Sequence, residues 1–261
     1  MLHRKHSDGL ICITQPTHVW VAGQLARAWG NDLFGSFTPW EEVCLGAEQH
    51  DIGWHRWEGA PTLNPTTGYP YSFTELPTAV SVDIWTRVKE VVTPLGRYPT
   101  LLISLHGTGL FQRYTNWQRS TEATQLVEQY LSQEEVFQQY LRSVLQSDPY
   151  YESYATPTAI ARNRQLVATW DTLSLMLCIG IHEPRQVRQV PTATGETTLV
   201  LAPIDADPTR ITVAPWAFRS ASVTLVFEGR VLKQPFVSEE AMHEALRTAD
   251  WVTITTTLTP A

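Results

Sequence analysis

The sequence predicts an α+β protein: a mainly helical bundle over residues 1–185 and an antiparallel β-sheet formed mostly by residues 186–261. Two observations carry this. Between residues 15 and 180, apolar residues recur at spacings of three and four, the period of a helix with one buried face. From about Gln186 the pattern changes to short β-branched runs separated by turn residues. The apolar run near Ile11 can join that sheet, which would tie both ends of the chain into one domain.

Residues 9–14 (GLICIT) read as an edge strand or an extended lead-in. Gln15-Pro16-Thr17 is a helix start with Thr17 as N-cap, followed by Val21, Leu25, Ala28 and Trp29 at core-facing positions and His18 in the first turn. Residues 31–39 are a loop. Thr38-Pro39-Trp40-Glu41-Glu42 begins a second helix, with Thr38 capping, Pro39 at the first position and acids in the first turn. That helix carries Val43, Leu45 and Ala47 and must stop around Gly53.

Residues 58–77 turn to Pro, Gly, Thr and Tyr, too long a stretch for an ordinary connection, so they are expected to form a lid or a substrate wall. Helices follow over 79–93, over 100–114 with His106 in the middle, and over 121–146 as one long polar helix or a helix pair, ended by Asp148-Pro149. Residues 157–180 are the most hydrophobic helix and hold one interior acid, Asp171. The expected strands are 197–202, 210–214, 222–228, 230–236 and 252–258, with Gly229 as a turn and 239–248 as an interposed helix. Within the last strand, 253–257 alternates too weakly to be placed in the sheet.

Composition narrows the function classes. Of 261 residues, 43% are hydrophobic and 17% charged, which fits a packed core and not a disordered chain. The net charge of -7, with no Lys/Arg cluster, argues against a nucleic-acid backbone as partner. No apolar run nears the roughly 20 residues of a membrane span, and no signal-length apolar segment follows the basic start, so a cytoplasmic protein without a membrane partner is expected. Cys12, Cys44 and Cys178 are odd in number and far apart, so they read as reduced core thiols.

The stretch Gln49-His50-Asp51-Ile52-Gly53-Trp54-His55-Arg56-Trp57 sets two metal-binding residue types side by side. Adjacent residues on a helix diverge by about 100°, so His50 and Asp51 can flank one ion only if other helices supply further ligands. His18 and Asp171 are the candidates: an acid among Leu, Trp, Met and Cys is costly to bury unless it meets a cation or several donors.

This order, a lone His, a HisAsp pair at a helix end and a distant Asp on an apolar helix, resembles the HD superfamily of metal-dependent phosphohydrolases over residues 15–180. The segments from Gln15 to His18, HisAspIleGlyTrp, ProTyrSerPheThrGluLeuPro and TrpAspThrLeuSerLeu also look like a family of unknown function on the fringe of that superfamily. The resemblance implies an HD-like bundle in which His18, His50, Asp51 and Asp171 are metal ligands, and His106 matches the additional helix histidine of dinuclear members. It implies a hydrolase that sets a metal-activated water on a small phosphorylated compound.

Such a ligand set suits one or two ions of Mn, Fe, Ni, Co or Zn. Arg162 and Arg164, about two turns before Asp171, can bring positive charge to an anionic substrate. Trp54 can stack on a ring, and His55 and Glu48 are the nearest candidates for proton transfer, beside His106. Two other classes stay open: a binding protein that senses a small anion without turnover, and an HD-like di-iron oxygenase. A homo-oligomer is also left open.

Overall fold

The computed structural model describes residues 1–261. Its strands are β1 Leu2–His6, β2 Gly9–Ile13, β3 Arg185–Pro191, β4 Glu196–Ile204, β5 Asp207–Ala214, β6 Val223–Leu232 and β7 Trp251–Pro260. Its α-helices are α1 Gln15–Ala28, α2 Trp40–Gln49, α3 His55–Glu58, α4 Thr78–Val92, α5 Arg97–Arg113, α6 Thr121–Gln146, α7 Pro157–Ile179 and α8 Glu239–Thr248.

Hydroxyl caps decide where the site-bearing helices begin. Thr14 Oγ1 accepts from Thr17 N at 3.2 Å at the head of α1, and Thr156 Oγ1 accepts from Ala159 N at 3.2 Å at the head of α7. The cap of α1 is therefore Thr14 and not the expected Thr17, which already lies inside the helix. At α2 the expected Thr38 cap is also displaced: Pro39 holds the N-cap position, follows a cis peptide bond and provides no side-chain bond. Residues 121–146 are one continuous helix.

The β-region overturns the expected fold class. The chain is not a mainly helical bundle with a C-terminal antiparallel sheet, although the run near Ile11 does join the sheet as expected. It contains one seven-stranded mixed sheet in the order β1-β2-β6-β7-β5-β4-β3, and it draws on both ends of the chain. The β5–β7 pair is parallel, with Arg210 opposite Thr257 and Ile211 opposite Leu258, while every other pair is antiparallel.

The misread strands have specific causes. The basic start hides β1, in which Leu2 and Arg4 point inward while Lys5 and His6 are exposed. Gly229, expected as a turn, lies mid-strand in β6: a Cβ there would sit 2.4 Å from Ile11 Cγ2, so its missing side chain lets β2 lie against β6. Strand β7, whose alternation looked too weak, is central. Its buried positions are Ile254, Thr256 and Leu258, and a buried threonine blurs the apolar count while keeping the β-branched shape the pleat favours.

The helices meet this sheet through one core of 42 buried residues, including Leu25, Trp29, Leu102, Trp170, Leu199, Leu225 and Phe227. Helix α1 packs on α7, α2 and β6, while α5 packs on α2, α6 and α7. Buried Arg4 of β1 donates to Leu177 O at 3.2 Å, joining the sheet edge to the end of α7. A smaller core of α4, α5 and α6 forms around Trp85, Ile103, Phe111 and Tyr130. Cys12, Cys44 and Cys178 are free and buried. No helix is long and apolar enough to cross a membrane.

The Gly229 contact is directly testable. Gly229→Val should destabilise the protein by about 1–3 kcal/mol through overpacking against β2, read as a lower urea midpoint. An unchanged midpoint would remove the argument for that close approach.

Candidate metal centre

Four helical elements deliver five polar residues to one point inside the protein. His18 comes from α1, His50 and Asp51 from the end of α2, His106 from α5 and Asp171 from α7, and all five are buried. The HisAsp pair can face inward together because the helix stops between them. His50 keeps helical angles as the C-cap of α2, whereas Asp51 turns out of the helix at φ -110° and ψ 18°. The divergence of neighbouring side chains on a continuous helix therefore does not apply here.

The distances are short. His18 Nε2 is 3.1 Å from Asp51 Oδ2 and 3.9 Å from Asp171 Oδ1. His50 Nε2 is 3.3 Å from Asp171 Oδ1 and 3.9 Å from Asp51 Oδ2, and His106 Nε2 is 3.9 Å from Asp171 Oδ2. The ligand atoms of His18, His50 and Asp51 lie within 4.8 Å of one another, as do those of His50, His106 and Asp171.

Hydrogen bonds behind the rings assign their tautomers. His50 Nδ1 donates to Ala47 O at 2.9 Å, which leaves its Nε2 lone pair directed at the centre. Ser174 Oγ donates to Asp171 O at 2.8 Å and thereby spends its only proton. It must accept from His18 Nδ1 at 2.9 Å, so His18 Nε2 also needs no proton of its own to satisfy the outer partner. In a neutral His18 the Nε2 lone pair and Asp51 Oδ2 then face each other at 3.1 Å, two acceptors with nothing to share. A cation, either a proton or a metal ion, is required between them.

Three atoms aimed into this space have no hydrogen-bond partner: His50 Nε2, Asp51 Oδ1 and His106 Nε2. The short His50–Asp171 separation lacks hydrogen-bond geometry. Orphaned buried groups of this kind are costly unless something absent from the polypeptide meets them.

Burial opposes charge throughout the centre, but the neighbours decide the outcome. At His50 the charges of Asp51 and Asp171 outweigh burial and raise its pKa above the ordinary imidazole value. At Asp51 and Asp171 burial is again outweighed, here by the surrounding histidines, and both carboxyls are held below the usual range. At His106 burial and the charge of His50 act together and push the pKa down to about 4, so this ring is neutral at physiological pH. The ionised carboxylates and the neutral His106 are the forms that bind a divalent ion, and at His50 an ion would take the place of the proton that the two aspartates favour.

The remaining candidate residues are distributed differently. Glu48 faces away from the centre and accepts from Arg27 Nε at 2.8 Å. His55 is exposed on α3 and is not brought to the cluster. Arg162 spends its guanidinium on the carbonyls of Phe34, Ser36 and Thr192, whereas Arg164 meets only Gln112 Oε1, at 3.3 Å, and has no carboxylate partner. Trp54 is buried, with Nε1 unpartnered.

Two cavities adjoin the cluster. One, of about 630 Å³, is lined by His106 and Asp171 together with Arg113, Arg162 and Arg164. The other, of about 690 Å³, is lined by Asp51, His106 and Asp171 together with aromatic residues, Trp54 among them. The 58–77 segment supplies Phe73, Thr74 and Leu76 to this second wall. Sequence reasoning missed Gln15, which is buried with Oε1 unpartnered and also lines this cavity. Its signal was its place three residues before His18, on the same face of α1.

The fold and the site together define a protein with a buried three-histidine, two-carboxylate cluster that could hold a metal. The chain belongs to the family described as protein of unknown function (DUF3891), which matches residues 1–234. No curated protein and no solved structure matches the chain. Nothing in these matches points to the HD superfamily that the order of ligands resembles.

The facing acceptors predict an unusual stability effect. In protein stripped with a chelator, Asp51→Asn should leave stability equal to wild type or raise it by about 1 kcal/mol, because an amide N–H can donate to His18 Nε2. Urea unfolding reads this, and a loss of several kcal/mol would mean that the stripped protein holds a proton between His18 and Asp51.

Proposed function

We propose that this chain is a metal-dependent hydrolase, of HD type in its chemistry, acting on a small phosphorylated compound. The observation that carries the reading is the 3.1 Å approach of His18 Nε2 to Asp51 Oδ2 beside three orphaned buried atoms, a donor set that fits a divalent transition metal (Mn, Fe, Ni, Co or Zn). His18, His50, Asp51 and Asp171 would hold the ion, and His106 extends the set toward a second. A bound ion would supply water acidified toward neutrality and would polarise a phosphoryl oxygen.

The chain's own residues supply the rest. Ala47 O and Ser174 Oγ fix the rings of His50 and His18 so that no rotation is needed on binding. Arg164 is the group suited to the substrate's charge. Burial lowers its pKa, as do the nearby charges of Arg113 and Arg142, so an anion in the cavity would relieve a crowded positive site. Gly109, one turn after His106, makes room for it: a Cβ there would sit 2.8 Å from Arg164 Nη2. Arg162, bound to three carbonyls, shapes the cavity wall.

Elemental analysis of tag-free protein should find near-stoichiometric transition metal that Asp51→Ala loses, and the loaded protein should release phosphate from a phosphomonoester with Mn or Ni. Absence of metal from both proteins after reconstitution would sink the reading. Metal without any phosphate release would favour an anion-binding protein, and iron with oxygen consumption would favour an oxygenase.

Two substitutions separate the roles. Ser174→Ala should weaken metal affinity by about 10–100-fold without removing a ligand, measured by competition with a chelating dye. Arg164→Ala should keep full metal content and raise KM by roughly tenfold or more, the worth of a charge-assisted hydrogen bond. Loss of metal in Arg164→Ala would contradict its assignment to substrate.

A further inference from the structure

We propose that the 690 Å³ cavity is the subsite for a flat apolar group of the substrate, so that the preferred substrates are phosphate esters of aryl or similarly ring-bearing alcohols. This inference rests on the phosphohydrolase reading and adds the organic half of the molecule to it.

The two cavities divide the work by chemistry. They share the walls His106, Leu110 and Asp171, so both open on the cluster. The first carries three arginines; the second carries Arg185 and several hydroxyl and amide side chains but also presents the ring faces of Trp54, Phe73, Trp85, Phe111 and Trp117. A single ligand with its phosphoryl group at the cluster can therefore meet positive charge on one side and ring surface on the other. The volume falls in the range that holds small organic ligands, roughly 300–1,000 Å³. An aromatic ring placed against the tryptophan and phenylalanine faces gains burial and edge or face contacts.

Two unpartnered polar atoms refine the ligand. Trp54 Nε1, a donor, and Gln15 Oε1, an acceptor, are both buried, and their side chains line this cavity. They flank the ligands in sequence, Gln15 three residues before His18 and Trp54 three after Asp51. A ring substituent that donates or accepts is the kind of group that such unpartnered atoms would favour.

The test is calorimetric binding of two phosphonates that are not hydrolysed, phenylphosphonate and methylphosphonate, to the Mn-reconstituted full chain. Phenylphosphonate should bind at least about tenfold more tightly, from the apolar area it buries. Trp117→Ala should cost phenylphosphonate roughly tenfold more affinity than it costs methylphosphonate. Because Trp117 Nε1 also donates to Phe111 O at 2.9 Å, Leu175→Gln serves as a second variant with the same expectation and no such bond to lose. Equal affinities of wild type for the two phosphonates would overturn the apolar subsite and leave the phosphohydrolase reading standing. Binding of neither by metal-loaded protein would overturn both.

Discussion

The structure turns on a charge problem at the meeting point of α1, α2, α5 and α7. Two carboxylates and three imidazoles are buried together, and the outer hydrogen bonds of Ala47 and Ser174 direct lone pairs inward at His50 and His18. Buried anions without a counter-charge cost several kcal/mol each, so this arrangement is stable only when a cation is shared among them. Much of the local architecture follows from that need: the early stop of α2 at Gln49, the non-helical Asp51 and the seryl hydroxyl one turn after Asp171.

Holding four segments at this point falls to the rest of the fold. The first and last strands of the chain share one sheet, and α1 lies against β6 within it. Arg4 ties β1 to the carbonyl end of α7, where a cation also opposes the negative pole of the helix. The 42-residue core then joins helices and sheet so that the elements carrying His18 and Asp171 cannot shift independently. A centre placed on such rigid elements is preorganised, which is what ligand geometry within a few tenths of an ångström requires.

Around the cluster, polarity is sorted. Glu48, close in sequence, is withdrawn into an ion pair with Arg27, which spares the centre a third carboxylate. His106 and Asp171 border both cavities, one lined by Arg113, Arg162 and Arg164 and the other by Trp54, Phe73, Trp85, Phe111 and Trp117 with Arg185.

By itself the sequence determined the helices that bear the cluster and singled out His18, His50, Asp51 and Asp171, because apolar period and an acid stranded in an apolar helix are local signals. It also singled out Arg162 and Arg164, but it could not tell that Arg162 is spent on carbonyls while Arg164 has no carboxylate partner, since that depends on what other segments place opposite each. Tertiary structure alone decided the sheet order, the parallel β5–β7 pair, the central place of β7 and the passage of β6 through Gly229. Strand neighbours are chosen by contacts between residues far apart in the chain, as Ile11 with Val231 shows, and period-two alternation reports which face is buried without naming the partner. Gln15 was hidden for the same reason: an amide at a helix start looks solvated until the segment carrying Asp51 and Trp54, distant in sequence, lines a cavity with it.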